Sequence, residues 1–363
     1  MKKNSKKRPV AQETVTIGID LGDKYSHYCM LNESGQAVES GSVLNTEGSA
    51  RKHFAGMPPA RIALEAGART HWWAQLLRSF GHEVWVANPR ALAGKGRRKN
   101  DTSDAERLAR YARQDPRLLE PIVLRSPEQQ ADLAHIRVRD ALVRTRTLLV
   151  NLARSLAKEA GQRLPASVTD TFGTRALERL PAELAELLAP VCSSIDDLTR
   201  KIEAQEAKVE KLCREKYPDT RYLRSVQGVG SLTALTFVLT LGSAERFLHS
   251  RDVGAYLGLQ PSQYQSGQRD PQLGISKQGN TYLRRLLVQC AHHILGPFGK
   301  PSQLRDWGRA LGARGGGNAR KRAVVAVARK LAVLLHRLWR DRAWYQPFYS
   351  APPSDTTALA LMA

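Results

Sequence analysis

The stretch VTIGIDL, residues 15–21, decides the fold of the first part of the chain. Its β-branched and apolar residues predict a buried strand that closes on Asp20. Working outward, residues 25–32 and 37–45 predict two further strands, and short apolar runs at 61–65 and 83–87 flank a helix predicted over 71–80. Three close strands followed by strands that alternate with helices indicate a mixed α/β sheet.

The pattern changes to long helices from Pro127 onward. One apolar face runs through residues 133–150, and residues 196–216 keep a heptad-like spacing with Gln205 in a core position. These two stretches predict an antiparallel helical hairpin or a coiled-coil dimer seam, and two helices of one bundle explain them equally well. A third region follows Tyr222, with a glycine-containing turn, a polar loop at 260–280 and basic helices.

These changes predict five segments. They are a basic arm expected to be disordered (1–13), an α/β domain (14–125), a helical or coiled-coil region (126–218), a mainly α domain (219–349) and a loose tail (350–363).

The charge of the chain predicts a polyanionic partner. Among 363 residues, 56 are Lys or Arg and 34 are Asp or Glu, so the net charge is +22. Nucleic acid is the first candidate partner, and an anionic membrane is the other. No run of 18 apolar residues predicts a membrane span, and no apolar run follows the basic arm, so we expect a cytoplasmic protein. Four scattered cysteines argue against a disulfide framework and a zinc cluster.

Four carboxylates in the first domain predict a metal site. Asp20 and Glu65 close apolar strands, and Asp101 and Asp104 lie three residues apart at a predicted helix start. An oxygen-rich set of this kind suits Mg²⁺ or Mn²⁺ and phosphoryl transfer on nucleic acid. Alternatively, the aspartates only favour the positive end of a helix dipole. A basic loop before the helix is expected to hold phosphate, or else is a solvated loop; its cations are Lys95, Arg97, Arg98 and Lys99.

The last domain offers two candidate sites for nucleic acid. Gly228 and Gly230 indicate a helix–hairpin–helix that binds the phosphate backbone, or else a turn between two packed helices. Further on, serines stand in glycine-containing loops near basic residues, and a serine hydroxyl there can attack a phosphodiester or can be an ordinary solvated turn residue. These residues are Ser266, Ser276, Lys277, Arg284 and Arg285.

Together these motifs resemble the Piv/IS-one-ten family of insertion-sequence transposases and DNA invertases, which are bridge-RNA-guided recombinases. The resemblance covers residues 15–345. It is carried in the first half by GID (18–20), LEAG (64–67), NP (88–89) and KNDTSDA (99–105), and in the second half by VQGVG (226–230), YLGLQP (256–261), YQSG (264–267) and ISKQGNTYLRR (275–285). The arm, the tail and the stretch 268–273, which contains Asp270 and Pro271, depart from the pattern.

The resemblance implies a RuvC-like, RNase H-type first domain whose acidic set is Asp20, Glu65, Asp101 and Asp104. It implies a coiled-coil middle and a C-terminal transposase domain with Ser266 as the nucleophile and Ser276 as the second choice. Relatives of this kind form dimers and tetramers around a structured non-coding RNA that pairs with target and donor DNA. The RNA, the double-stranded DNA partners and the oligomer follow from the resemblance alone.

The predicted function is therefore that of a site-specific recombinase encoded by a bacterial mobile element and associated with the nucleoid when active. The serine would form a covalent link to DNA while metal ions held by the acidic set neutralise charge on the phosphate. Rejoining would need no ATP, and no Walker-type motif is present. The alternatives are a metal-only nuclease of the Holliday-junction resolvase type and a non-catalytic nucleic-acid-binding protein.

Overall fold

The computed structural model describes residues 15–89, 101–164, 171–262 and 273–348, except for the side chains of Asp101 and Thr102. The predicted basic arm, the basic loop at 94–99 and the tail at 350–363 lie outside these ranges, and so does Ser266. The chain divides into two compact units, Met1–Pro127 and Glu128–Ala363.

The first unit is built on a five-stranded mixed sheet in the order β3-β2-β1-β4-β5. Strands β1 and β2, and β2 and β3, pair antiparallel, whereas β1 and β4, and β4 and β5, pair parallel. The strands are β1 (Thr16–Asp20), β2 (Tyr25–Leu31), β3 (Ala37–Leu44), β4 (Arg61–Glu65) and β5 (Glu83–Ala87). The mixed sheet predicted from the sequence is confirmed, and its strand order is compatible with an RNase H-like start.

Helices cover both faces of this sheet, because both faces of the central strands are apolar. On one face, α1 (Glu47–Phe54) and α2 (Thr70–Ser79) contribute Phe54 and Trp73 to a core with Ile17 and Ile19. On the other face lies α3 (Asp101–Gln114), whose small and apolar residues pack on β1, β2, β4 and β5. A short 3-10 helix (Pro116–Leu119) follows α3.

Apart from one antiparallel bridge between Pro261 and Ile275, the regular elements described in the second unit are helices. Its helices are α4 (Pro127–Glu159), α5 (Phe172–Leu177), α6 (Ala182–Glu215), α7 (Thr220–Arg224), α8 (Ser231–Leu241), α9 (Asp252–Tyr256), α10 (Thr281–Leu295), α11 (Gln303–Ala313) and α12 (Ala319–Arg340). None of the helices within the described ranges is long and apolar enough to cross a membrane.

The long helices α4 and α6 lie antiparallel within one chain. His135 Nδ1 lies 3.2 Å from Gln205 Oε1, Arg139 forms an ion pair with Glu206, and Arg146 donates to Thr199 Oγ1 at 3.0 Å. From Arg139 to Arg146 along α4, the partner on α6 moves back from Glu206 to Thr199, so the two helices run in opposite directions. The two helices therefore pack against each other within one chain, as the hairpin and the bundle interpretations both predict.

Helices α7 to α12 share one large core. It is centred on Phe237, Leu287 and Leu331, and α12 packs against both α10 and α11. This core supports the turn between α7 and α8, through Val226 and Val229, and the described segments that follow α9 and precede α10, through Leu259 and Ile275.

Candidate functional site

Two of the four predicted carboxylates close neighbouring strands. Asp20 is the last residue of β1, and Glu65 is the last residue of β4. The two strands are parallel and in register, with Ile19 opposite Leu64. Neighbouring strands lie about 4.8 Å apart, so Asp20 and Glu65 leave the same edge of the sheet side by side.

Helix α3 runs antiparallel to β1 and β4. Near its C-terminal end, Ala112 accepts a hydrogen bond from Arg61 Nη1 at 3.4 Å, and Arg61 is the first residue of β4. The next residue, Arg113, donates to the carbonyl of Glu33, beyond the end of β2 that pairs with the start of β1. The N-terminal end of α3 therefore points to the edge where β1 and β4 end.

Gly18 sets how closely the helix approaches the sheet. A Cβ atom at Gly18 would lie 2.0 Å from the carbonyl oxygen of Ala105 and 2.5 Å from the nitrogen of Ala109. From Ala105 the helix backbone reaches Asp101 in about 6 Å, and from Gly18 the strand reaches Asp20 in about 7 Å in the same direction. The backbone of Asp101 thus reaches the edge that carries Asp20 and Glu65, and Asp104 lies in the same first turn of α3.

The described side chains at this edge do not converge on one point as metal ligands do. Asp104 Oδ1 accepts a hydrogen bond from Arg107 Nη2 at 2.9 Å, within the same helix. Over the described side chains, which exclude that of Asp101, no three carboxylate, histidine or cysteine groups converge in a way that could hold a metal ion. The structure thus directs the first turn of α3, which contains Asp101 and Asp104, toward the edge where Asp20 and Glu65 lie.

Sequence reasoning missed the residue that holds the loop after Asp20. Asn45 Nδ2 donates to the carbonyls of Gly22 and Asp23, both at 3.0 Å. Its Oδ1 accepts from Ser26 Oγ at 2.6 Å and from Trp73 Nε1 at 3.0 Å. This one amide therefore ties the end of β1 to β2 and α2. The sequence showed Asn45 only as a polar residue after a strand, because its four partners are distant along the chain.

In the second unit, a two-stranded ribbon frames the predicted serine loop. Backbone hydrogen bonds join Ser262 to Gly274 at 2.9 Å and Ser276 to Gln260 at 2.8 Å, and Pro261 and Ile275 form an antiparallel bridge. Ser266 lies outside the described residues, in the stretch of chain that connects these two segments. Ser276 lies in the ribbon itself, where its half-buried hydroxyl is 3.5 Å from the backbone nitrogen of Gln278.

Arg284 holds the base of this ribbon from inside the protein. Its Nη1 donates to the carbonyls of Leu257 at 2.9 Å and Gln278 at 2.6 Å, and its Nη2 lies 3.3 Å from Thr281 Oγ1. Arg284 is only 8% exposed, and this burial lowers the pKa of its guanidinium. The structure thus gives Arg284 a positioning role, and the nucleic-acid contact predicted for it stays a prediction.

The other predicted contacts differ in accessibility. Lys277 is exposed to solvent, and its backbone adopts the left-handed conformation with a φ of 55°. Arg285 forms an ion pair with Asp140 of α4 and lies 4.8 Å from the ring of Tyr282. The described ranges do not include Lys95, Arg97, Arg98 or Lys99.

The turn between α7 and α8 depends on its first glycine. Gly228 has φ +88°, and a Cβ there would lie 2.9 Å from the ring of His293 on α10. Gly230 is exposed just before α8, and a Cβ there would meet no atom within 4 Å. Backbone groups of this turn are therefore close to the protein surface.

Comparison with known proteins matches both units. The model of the transposase IS116/IS110/IS902 family matches residues 220–303, and a model for the DEDD transposase of IS110 matches residues 17–161. A relative from Pseudomonas aeruginosa, named "Probable family 20 transposase", is 33% identical over 82% of this chain and 89% of its own length. The transposase for insertion sequence element IS1328 of Yersinia enterocolitica is 32% identical over 87% of this chain and 94% of its own length. The transposase for IS1111A of Coxiella burnetii is 29% identical, with 94% of each chain covered.

Proposed function

This chain belongs to the transposase IS116/IS110/IS902 family, and from that premise we propose that it cuts and rejoins DNA as the recombinase of an insertion sequence, with Ser266 as its nucleophile. The family makes the chain a transposase, an enzyme that acts on DNA. The serine, the metal set and the guide RNA are the proposed parts.

The proposed covalent step conserves the energy of the phosphodiester. The Ser266 hydroxyl gives up its proton, its oxygen bonds to phosphorus, and a deoxyribose hydroxyl leaves with a proton. Rejoining is the reverse attack by a deoxyribose hydroxyl on the phosphoserine link, which regenerates the serine. A serine hydroxyl is a weak nucleophile at neutral pH, so it needs a nearby base and neutralisation of the phosphate charge.

The proposed metal set is Asp20, Glu65, Asp101 and Asp104, holding Mg²⁺ or Mn²⁺ in a RuvC-like domain. Carboxylate oxygens are the ligands that these hard cations prefer, and a bound divalent cation supplies charge stabilisation to a phosphoryl group in transfer. The observation that carries this proposal is the direction of α3, which runs antiparallel to β1 and β4 and so starts at the edge where Asp20 and Glu65 lie. Asp104 would have to release Arg107 to take part.

We further propose how the nucleic acids are held. The turn that contains the half-buried Gly228 and the exposed Gly230 would bind phosphate as a helix–hairpin–helix, and Lys277 and Arg285 would lie beside the serine loop. The loop cations Lys95, Arg97, Arg98 and Lys99 would bind phosphate near the acidic set. Double-stranded target and donor DNA, a structured guide RNA and a dimeric or tetrameric assembly complete the proposal.

The test of the nucleophile uses suicide DNA substrates that trap a covalent intermediate, resolved on denaturing gels. We expect a protein–DNA adduct with the wild type and none with Ser266→Ala, while Ser266→Ala keeps its DNA affinity. Ser276→Ala is the matched control and should still form the adduct. An adduct that persists in Ser266→Ala, or maps to Ser276, contradicts the assignment, and strand cleavage without any adduct supports the metal-only nuclease instead.

The test of the metal set uses Asp20→Asn and Glu65→Gln, which keep size and remove charge. A divalent cation bound between carboxylates relieves their mutual repulsion and stabilises the state that binds it, so we expect Mg²⁺ to raise the melting temperature of the wild type and not that of the variants. Strand transfer should stop in both variants. Full strand transfer in excess EDTA would refute the metal site.

A further inference from the structure

A groove opens between three helices of the second unit. This surface groove between α10, α11 and α12 has a volume of about 550 Å³, and we call it the α11 groove; its lining includes Leu295, Gly312, Val324, Arg309, Arg320 and Lys321. The volume falls in the range of about 300–1,000 Å³ found for pockets that bind small organic ligands.

Two glycines on α11 create the groove. At Gly308 the helices touch, since a Cβ there would lie 2.5 Å from Val327 Cγ2 and 2.7 Å from Leu295 Cδ2. One turn later, at Gly312, the nearest atoms would be 3.7 and 4.0 Å away, on Ala323 and Arg320. The helices therefore diverge after Gly308, and the missing side chain at Gly312 leaves space for a ligand.

The rim of the groove is basic and its floor is apolar. Arg309, Arg320 and Lys321 are exposed, and no carboxylate of the described residues forms an ion pair with any of them or lines the groove. The floor is formed by Leu295 and Val324. Such a combination is complementary to an anion joined to a flat apolar group, because cations attract the anion and the aliphatic floor receives the flat group.

We propose that the α11 groove binds one unpaired nucleotide of a nucleic acid, with the base on the Leu295–Val324 floor and the phosphate among Arg309, Arg320 and Lys321. A base that has left its stack can pack on the apolar floor of the groove, while the basic residues at the rim neutralise the charge of its phosphate. The proposal rests on the proposed function in that nucleic acid is the substrate, and it adds a site for a base that is not paired. Strand exchange exposes such bases.

The experiment measures binding of a short fluorescent oligodeoxythymidine to the full-length protein by anisotropy, with inorganic polyphosphate as a competitor that has charge but no base. Gly312→Phe fills the groove, and Gly312→Ala is the matched control because a Cβ at this position makes only ordinary contacts. We expect Gly312→Phe to weaken oligodeoxythymidine binding about tenfold and to leave polyphosphate binding unchanged. Gly312→Ala should match the wild type for both probes.

Two further arms keep the result decisive. Ala313→Phe fills the groove from an exposed position, so it serves if Gly312→Phe does not fold. Oligouridine of the same length tests whether RNA or DNA supplies the nucleotide. Unchanged oligodeoxythymidine and oligouridine binding by both filled variants, or an equal loss of polyphosphate binding, overturns the proposal. Because this assay needs no strand transfer, its outcome is independent of whether the Ser266 adduct forms.

Discussion

At the scale of single residues, the buried side chain of Arg284 stabilises the second unit through hydrogen bonds to backbone carbonyls. It is 8% exposed and supplies donors to two backbone carbonyls, so Arg284→Ala leaves Leu257 and Gln278 carbonyls without their partner. We expect the free energy of unfolding to fall by about 2–3 kcal/mol in urea titrations. Arg284→Lys should recover little of it, because the lysine nitrogen ends one bond short of the position of Nη1 and the contact of Nη2 with Thr281 is lost.

The neighbouring arginine provides the control for this prediction. Arg285 is about half exposed and pairs with Asp140, and an exposed pair of this kind contributes less than about 1 kcal/mol. Arg285→Ala should therefore cost much less than Arg284→Ala. Equal losses would mean that Arg284 does not hold the ribbon.

The two arginines also show where sequence reasoning stops. Adjacent arginines after a serine and glycine loop predicted two nucleic-acid contacts, since both carry the same charge and lie near the same loop. Their difference arises from helical geometry: successive residues of α10 point about 100° apart, so one enters the core and the other faces α4. Asp20 and Glu65, by contrast, could be placed at strand ends from the sequence, because apolar strand patterns end where the first carboxylate appears.

A second residue prediction concerns pH. His336 is fully buried, its Nε2 lies 2.9 Å from the carbonyl of Ala244, and its Nδ1 lies 2.9 Å from Ser250 Oγ. A carbonyl only accepts, so Nε2 carries the proton and Nδ1 accepts from the serine. Burial lowers the pKa of His336 below its ordinary value of 6.5, so the ring stays neutral to a lower pH in the folded protein than in the unfolded chain.

The sign of the effect follows from proton binding by the unfolded chain. As the pH falls below 6.5, the unfolded state takes up a proton at His336 that the folded state does not, so stability is lost, by up to about 1.4 kcal/mol per pH unit. His336→Gln should remove this part of the dependence. Urea unfolding of both proteins at about pH 7.5 and 5.5 measures it, and parallel pH profiles would contradict the assignment.

At the scale of elements, the contact of α3 with β1 decides the geometry of the acidic edge. Gly18→Ala would place a methyl group 2.0 Å from the backbone of Ala105, and backbone cannot rotate away as a side chain can. We expect α3 to shift outward, at a cost of about 1–3 kcal/mol in unfolding free energy, and strand transfer to fall because Asp101 and Asp104 move with it. Thermal unfolding and strand-transfer assays measure the two effects.

Gly48→Ala is the matched control for the packing argument. Gly48 lies in α1, and a Cβ there would meet no atom within 4 Å, so the substitution should be neutral or stabilise α1 by up to about 1 kcal/mol. If Gly18→Ala behaves like Gly48→Ala, α3 does not depend on Gly18 for its position.

Elements with a strong period were predictable, and elements with conflicting signals were not. The five strands and α3 followed from apolar runs and charged boundaries. Helix α1 was missed because Glu47–Phe54 contains a glycine and only two buried residues, so its helical period is weak. The start of α6 was missed because Pro190 lies inside it, and proline normally ends a helix. Tertiary packing of Leu188 and Cys192 retains the helix around Pro190.

At the scale of the whole molecule, the net charge of +22 is unevenly distributed. Residues 284–342 contain 14 Lys or Arg residues and only two acidic ones, Asp306 and Asp341. Some of these cations serve the fold, as Arg284 does, and others remain on the surface, as Arg309 and Arg320 do. Charge counting therefore predicts a polyanionic partner but overestimates how many cations reach it.

The salt dependence of DNA affinity reports how many cations of the protein contact phosphate groups. An interface that neutralises about 6–10 phosphates should lose about 10³–10⁵ in DNA affinity between about 50 and 200 mM salt, because bound counterions are released from the nucleic acid. Lys277→Ala should lower the slope of log affinity against log salt by about one, since this cation is exposed beside the serine ribbon. Arg51→Gln is the matched control, because Arg51 pairs with Glu47 on α1 at 3.0 Å. The Arg51 variant should keep the wild-type slope. Equal slopes for the wild type and both variants would show that Lys277 does not contact phosphate. DNA affinity that does not change with salt concentration would contradict the prediction that the net charge serves to bind a polyanion.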